Sequence, residues 1–154
     1  MNIEVFVPGN PKGQPRARAF AMRKKDGGYT ARVFSSSTAE GWKSEIALAL
    51  RKWAGTKHAG PVLVAMTFEF ARPKSHFRAN GLLKLTAPRW HAGKPDADNL
   101  EKAVLDACTQ IGIWKDDGQV VTLIAHKVWT SGNRGAGMTL TIADAYEPGA
   151  EEAF

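Results

Sequence analysis

The sequence predicts an α+β fold, a single layered domain in which one mixed β-sheet is packed by two main helices. Short β-rich runs alternate with two segments whose apolar residues recur at helical spacing. The chain has 154 residues, of which 44% are hydrophobic, and this suits one domain of ordinary size. Neither a repeat nor a long linker divides it. We therefore expect one domain over 1–154, with a frayed polar tail over 146–154.

Strands are predicted where β-branched and aromatic residues are bounded by turn residues. The first run stops at Pro8-Gly9, and the turn signal Asp26-Gly27-Gly28 predicts a basic hairpin. The longest apolar run, rich in Val, Met and Phe, suits a central strand. The main strands are expected at 3–7, 61–70, 119–129 and 138–143, and the hairpin strands at 19–23 and 29–34.

Two helices are expected between these strands. Thr38 suits the N-cap of the first, and Gly55 follows its end. Asp98 and Glu101 resemble a capping box at the start of the second, and Gly112 closes it. The second helix has an apolar stripe made of Leu100, Ala103, Val104, Ala107, Cys108 and Ile111. A thiol on such a stripe is expected to be a packed hydrophobe rather than a nucleophile.

The segment between the central strand and the second helix, residues 71–95, has no clear period. It contains Lys74 and several other basic residues. A segment of this length without structure is unusual in a compact domain. It is therefore either a functional loop or a region that hides short elements of secondary structure.

Charge is distributed unevenly along the chain. Residues 1–102 contain 18 Lys and Arg against 8 Asp and Glu, whereas 103–154 contain 3 against 7. This asymmetry favours a polyanionic partner, most commonly nucleic acid. A solvated basic face that maintains solubility is the alternative. Composition alone does not decide between the two.

Several classes of protein are disfavoured. No window approaches the roughly 20 apolar residues that cross a bilayer, so no membrane partner is expected. The chain begins without a basic-then-apolar signal segment, and its single cysteine forms no internal disulfide or thiolate zinc cluster. The histidines also lack short metal-ligand spacing. A cytoplasmic protein is the default expectation.

Carboxylates are the most informative side chains. Asp96 and Asp98 flank one residue just before the second helix, and in an extended stretch such residues project to the same side. Asp116 and Asp117 precede the next strand, and one of them would complete a cluster of three if that strand packed beside the helix start. Three carboxylates suit a hard cation such as Mg²⁺. Lys102 lies one turn after Asp98, where its charge would partly neutralise the cluster, contact a scissile phosphate or stabilise a leaving oxygen.

Two other interpretations of the acidic residues compete with a metal site. Asp98 would simply cap the helix if backbone N–H groups used its carboxylate, although this leaves Asp96 unexplained. The run from Asp96 also resembles the opening of a calcium-binding loop. Such a loop needs Gly at its sixth position and Glu at its twelfth, where this chain has Glu101 and Ala107. The calcium-loop interpretation therefore fails.

These residues resemble a known family. The resemblance rests on three runs in order, 94–102 (KPDADNLEK), 105–107 (LDA) and 114–121 (WKDDGQVV). A looser similarity covers the proline- and arginine-rich run 8–18 (PGNPKGQPRAR). Together they are similar to the RusA family of Holliday-junction resolvases, which are small endodeoxyribonucleases found largely in phages and prophages. The resemblance is weakest over 71–90, where this chain is longer than compact members.

The resemblance implies a function in DNA recombination and repair. It implies a homodimer that binds four-way DNA junctions and uses Mg²⁺, with Mn²⁺ as a substitute, to nick two strands symmetrically and leave 5′-phosphate and 3′-hydroxyl ends. Asp96, Asp98 and Asp117 would be the catalytic metal ligands, and Lys102 the catalytic lysine. Contacts to backbone phosphates are expected from Lys12, Arg16, Arg18 and Lys74.

Two rival functions remain open at this point. A metal-dependent nuclease for other branched or single-stranded DNA would share every one of these residues. A non-enzymatic basic DNA-binding protein would use the acidic residues only to cap a helix and balance charge. The spacing of four candidate active-site groups argues against the second.

Overall fold

The computed structural model describes residues 1–15, 18–34, 39–131, 134–147 and 149, with the backbone alone at 18–20 and 32–34. Its main elements follow the predicted order. The strands are β1 (Asn2–Pro8), β2 (Arg18–Arg23), β3 (Tyr29–Phe34), β4 (Val62–Phe70), β5 (Val120–Trp129) and β6 (Gly137–Asp144), and the helices are α1 (Glu40–Ala49) and α2 (Ala97–Gln110).

The main sheet has four strands in the order β1-β6-β4-β5, and β2 and β3 form a separate antiparallel pair. Strands β4 and β5 are parallel, whereas β6 is antiparallel to β1 and to β4. Alternate residues of β4 are fully or almost fully buried, and they form the core with the helices: Val62, Val64, Met66 and Phe68. The predicted α+β domain with one mixed sheet and two main helices is confirmed.

Helix α2 connects the two parallel strands and therefore runs antiparallel to them. Its predicted apolar stripe is buried from Leu100 to Cys108. Burial raises the pKa of the Cys108 thiol to about 12, which confirms a packed rather than reactive cysteine. The helix ends at Gln110, and Gly112 follows the C-cap residue Ile111 with a φ of +74°, which suits a residue without a Cβ.

The start of α2 differs from the prediction. Asp96 occupies the N-cap position in an extended conformation and makes no capping hydrogen bond through its side chain. Asp98 lies inside the first turn, where its Oδ1 accepts a hydrogen bond from the Asn99 backbone N–H at 2.9 Å. The predicted Asp98–Glu101 capping box is therefore wrong, because the chain becomes helical at Ala97, before Asp98.

Helix α1 has Ala39 at its N-cap position, and the predicted cap, Thr38, lies outside the described residues. A short 3₁₀ helix, Arg51–Trp53, extends it toward Gly55. Most of the 146–154 tail is also outside the described residues, so its fraying stays a prediction. In the part of the chain that the structure covers, no helix combines the length and apolarity needed to cross a membrane.

The 71–95 segment contains short elements, the second of the two predicted alternatives. It includes a 3₁₀ helix at Lys74–His76 and an antiparallel bridge between Trp90 and Val128 of β5. Arg72 stabilises the fold of the segment, because its guanidinium group donates hydrogen bonds to the carbonyl oxygens of Thr130 and Pro88, both at 2.8 Å. The segment thus folds back onto one end of the outer edge of β5.

Candidate active site

The N-terminal end of α2 borders an open, positively charged cleft. Asp96 lies in this cleft of about 580 Å³ together with Lys12, Lys94 and Asn99. Phe70, the last residue of β4, also lines it, which places the cleft at the carboxyl end of that strand. Asp96 and Asp98 are both exposed, so their carboxylates are accessible to a cation from solvent.

The cleft is closed on one side by the N-terminal loop, which packs directly on α2. The Gln14 backbone N–H donates to the Asn99 carbonyl at 2.8 Å. A Cβ at Gly13 would lie 3.0 Å from the Asn99 Cβ and 3.4 Å from the Pro95 Cβ, so the loop approaches this closely because residue 13 is glycine. The Gln14 Oε1 is buried and accepts no hydrogen bond from the described residues. These contacts hold Lys12 beside Asp96.

The first turns of α2 carry a mixed set of charges. Burial raises the pKa of Glu101 above its ordinary value, and the neighbouring charge of Asp98 raises it further. Lys102, one turn after Asp98, forms an ion pair with Asp106, with 3.3 Å between Nζ and Oδ1. The Lys102 side chain is 54% exposed, so its ammonium group remains accessible to a phosphate.

The other end of α2 leads to Asp117, on a short and well-bonded turn. Asp117 is the first residue of a 3₁₀ helix, Asp117–Gln119, and its side chain is exposed. Asp116 caps this turn, since its Oδ1 accepts from the Gly118 N–H at 2.6 Å. Gln119 completes a capping box, the motif that the sequence predicted at the other end of the helix.

Gln119 also ties the turn to the start of β4. Its Nε2 donates to the carbonyl oxygens of His58 at 2.8 Å and Gly60 at 2.9 Å. Its Oε1 accepts from the backbone N–H groups of Lys115 at 2.9 Å and Asp116 at 3.2 Å. This residue was not among the predicted site residues. An Asp followed three positions later by Gln is the sequence signal that would have indicated it.

The two acidic regions are at opposite ends of the sheet within one chain. Helix α2, which has fourteen residues and is about 20 Å long, runs from one region toward the other. Among the described residues, no group of three or more His, Cys, Asp or Glu side chains is arranged to hold a metal ion. A cluster of three carboxylates within one chain would require β5 to start beside the start of α2. It does not. A parallel crossover requires β5 to begin where α2 ends.

The remaining predicted residues are placed as follows. Lys74 is exposed in the 3₁₀ helix of the 71–95 segment. Arg18 is the first residue of β2, with its backbone alone described, and Arg16 lies outside the described residues. The structure thus brings Lys12 together with Asp96, and it separates both from Asp117.

Comparison with known proteins identifies the family. The family model for the endodeoxyribonuclease RusA matches residues 8–141, most of the chain. A crossover junction endodeoxyribonuclease rusA from Lactococcus phage r1t is 35% identical over 75 residues, which cover 41% of this chain and 57% of that relative. The chain thus spans somewhat over half the length of this curated relative. On the match over 8–141, the protein belongs to the RusA family of endodeoxyribonucleases.

Proposed function

We propose that this protein is a crossover junction endodeoxyribonuclease, a metal-dependent enzyme that resolves Holliday junctions in the cytoplasm by paired symmetric nicks. The family match carries this proposal, because it spans both ends of α2 and therefore all of the candidate active-site groups. The relative from Lactococcus phage r1t, whose name states this activity, supports it. The basic cleft beside Asp96 supplies a surface for the DNA backbone.

The donor set fits a hard divalent cation such as Mg²⁺. Asp96, Asp98 and Asp117 are exposed carboxylates, and oxygen ligands of this kind suit Mg²⁺, which retains water and accepts phosphate oxygens. When bound, such an ion lowers the pKa of an attacking water and polarises the scissile phosphate. Lys102 would stabilise negative charge that develops on the phosphate oxygens, and the ends expected are a 5′-phosphate and a 3′-hydroxyl.

We infer that the complete site forms only in a homodimer. One chain separates Asp117 from Asp96 by about the length of α2, roughly 20 Å. The site would therefore combine Asp96 and Asp98 of one subunit with Asp117 of the partner subunit. A two-fold dimer then contains two equivalent sites, which suits paired cuts in the equivalent strands of a four-way junction.

The outer edge of β5 is the surface we propose for dimerisation. It has apolar side chains exposed near its start, Val121, Leu123 and Ile124. Among the described residues, only the far end of this edge is bonded to another segment, 89–91. Identical edges related by a two-fold axis pair antiparallel. Pairing through the start of this edge directs the segment that precedes β5 in one subunit toward the end of the other subunit's sheet at which Asp96 lies.

Contacts to phosphates are proposed for Lys12, Arg16, Arg18 and Lys74, which would supply affinity without reading sequence. Replacing Arg16 and Arg18 together with Gln is expected to weaken junction binding. It should also reduce the dependence of log affinity on log salt concentration, because fewer counterions are released. An unchanged salt slope would remove these two residues from the contact set.

The direct test is cleavage of a mobile four-way junction by the purified protein with and without Mg²⁺. Paired nicks in opposite strands are expected, together with much weaker cleavage of fork, flap and duplex DNA. Asp98→Asn and Asp117→Asn should each abolish nicking and leave junction binding intact or tighter, because a negative charge near phosphate is removed. Full activity of either variant would refute the assigned roles.

Other results of the same assay would identify the rival functions. Equal cleavage of junction, fork, flap and single-stranded DNA would favour a general metal-dependent nuclease. Binding without cleavage in any divalent metal would favour a basic DNA-binding protein.

A further inference from the structure

The 71–95 segment has a one-sided charge composition. It contains six basic residues and no Asp or Glu. Such a segment is complementary to a polyanion, and it repels other basic surfaces of the same protein. The basic residues are Arg72, Lys74, Arg78, Lys84, Arg89 and Lys94.

Trp90, near the end of this segment, is exposed on a well-fixed backbone. The Trp129 N–H donates to the Arg89 carbonyl at 2.9 Å, and the His91 N–H donates to the Lys127 carbonyl at 3.0 Å. These bonds fix the chain on both sides of Trp90, yet its side chain is 58% exposed. A large aromatic ring held in water by a strand-like backbone loses the free energy of burial, so a partner that covers it would recover this energy.

A cavity of about 470 Å³ lies beside the ring, on the face of the sheet opposite the helices. His126 meets the Trp90 ring edge-on, with 5.7 Å between ring centroids. Thr67 and Arg89 also line the cavity. Arg72 lines it too, but its guanidinium group is occupied by backbone carbonyls, whereas Arg89 forms no ion pair with another described residue.

We propose that this cavity binds an unpaired nucleobase of branched DNA, stacked on Trp90, with an adjacent phosphate on Arg89. Aromatic rings beside cations are the usual means of binding single-stranded nucleic acid. Hydroxyl and imidazole groups, from Thr67 and His126, are available to the base edge. The inference rests on the proposed function, and it adds a determinant that distinguishes branched DNA from intact duplex.

The cavity lies at the same end of the sheet as the cleft that contains Asp96. His91, the next residue after Trp90, stacks on the Phe70 ring with 4.1 Å between centroids. Phe70 in turn lines the cleft that contains Asp96. A base displaced at the branch point would therefore be held at the same end of the sheet as the carboxylates of α2.

The test compares Trp90→Ala with Trp90→Phe in the full-length protein. The binding probe is a fixed four-way junction without divalent metal, with a duplex of the same length as reference. Trp90→Ala should lose roughly tenfold in junction affinity, the effect of removing one base–aromatic stack, and no more than about twofold in duplex affinity. Trp90→Phe should restore most of the loss. Tyr146→Ala, which removes another exposed aromatic at the opposite end of the sheet, is the matched control and should change neither affinity.

A second readout identifies the contact itself. A junction with 5-iodouracil at the branch point should cross-link to Trp90 on irradiation, and Trp90→Ala should abolish that cross-link. The proposal is overturned if Trp90→Ala binds junctions normally, weakens junction and duplex binding equally, or becomes monomeric while the wild type is dimeric. A wild type that neither prefers nor cleaves junctions would refute the proposed function, and this inference with it. A wild type that does both, with Trp90→Ala unchanged, refutes only the inference.

Discussion

The two ends of α2 carry the same kind of side chain in opposite surroundings. At its start, Asp96 lines an open cleft together with Lys12 and Lys94, and the exposed Asp98 lies in the first turn of the helix. After its end, Asp117 lies on a turn stabilised by its own capping box, next to the exposed apolar edge of β5. The first surrounding suits a phosphate backbone, whereas the second suits another protein surface. Neither end alone holds all three candidate carboxylates, and this difference is the reason for the dimer that we propose.

Disrupting the apolar edge should have the largest effect on this arrangement. Ile124→Lys places a charge on the exposed edge of β5, which opposes pairing with a second edge. We expect a monomer and a loss of nicking on the order of 100-fold or more, because each site lacks the Asp117 of the partner subunit. Light scattering after size exclusion and junction cleavage measure the two effects. Leu48→Lys on α1, where the side chain is 55% exposed, is the control and should stay dimeric and active.

The second prediction concerns the role of the Lys102 ammonium group, at the start of α2, in nicking. Lys102→Ala removes the cation that we place beside the scissile phosphate, and nicking should fall about 100-fold with little change in junction affinity. Asp106→Asn removes its ion-pair partner but keeps the ammonium group, so it should retain activity to within a few-fold. Single-turnover cleavage rates of both variants distinguish loss of the Lys102 charge from loss of its ion pair. Equal losses would show that the pair matters as a structural contact, not through the charge of Lys102.

The end of the helix is tested through Gln119. Gln119→Ala leaves two carbonyls and two N–H groups without their side-chain partner, and the free energy of unfolding should fall by about 2 kcal/mol. Nicking should fall with it, because Asp117 loses its fixed turn, while junction binding is kept. Gln110→Ala, at an exposed position in the last turn of α2, is the matched control. Urea denaturation measures the stability of both variants, and cleavage assays measure their nicking. Equal stability of the two variants would contradict the role assigned to Gln119.

The smallest expected effect is the contribution of His91 to the pH dependence of stability. His91 links the 71–95 segment to the core. Burial lowers the pKa of His91 below its ordinary value, so the folded protein disfavours the protonated ring. Because the unfolded chain then binds more protons, the free energy of unfolding should decrease as the pH falls below about 6.5. His91→Phe, which keeps an aromatic ring between Phe70 and Trp129, should show a weaker decrease between pH 7.5 and 5.5. Identical pH dependence of the two proteins would contradict this.

The fold followed from local patterns in the sequence. The apolar stripe from Leu100 to Cys108 predicted α2, and its residues are buried as expected. The N-cap of that helix was predicted two residues too late, at Asp98, because the Asp98–Glu101 pair resembled a capping box, whereas the helix begins after Asp96. The 71–95 segment had no readable period, because Arg72 and His91 fix it through contacts with distant strands.

Candidate site residues could be selected from the sequence, but their arrangement could not. Spacing and residue chemistry indicated Asp96, Asp98 and one of the pair Asp116 and Asp117, and the resemblance to the family selected Asp117. Their separation depends on the direction of a crossover helix between parallel strands, which a local pattern does not contain. The support of Asp117 by Gln119 likewise depends on His58 and Gly60, about 60 positions earlier in the chain.

The most direct measurement of the central claim, that each active site is shared between subunits, uses two purified heterodimers with different tags. In the first, one subunit carries Asp98→Asn and the other carries Asp117→Asn. In the second, one subunit carries both substitutions and the other is wild type. Shared sites leave one intact site in the first heterodimer and none in the second.

We therefore predict that the first heterodimer nicks one strand of a four-way junction, while the second nicks none. Sites contained within single chains give the reverse result, with an intact site only in the second heterodimer. Nicking by the second heterodimer together with an inactive first one would contradict the shared site.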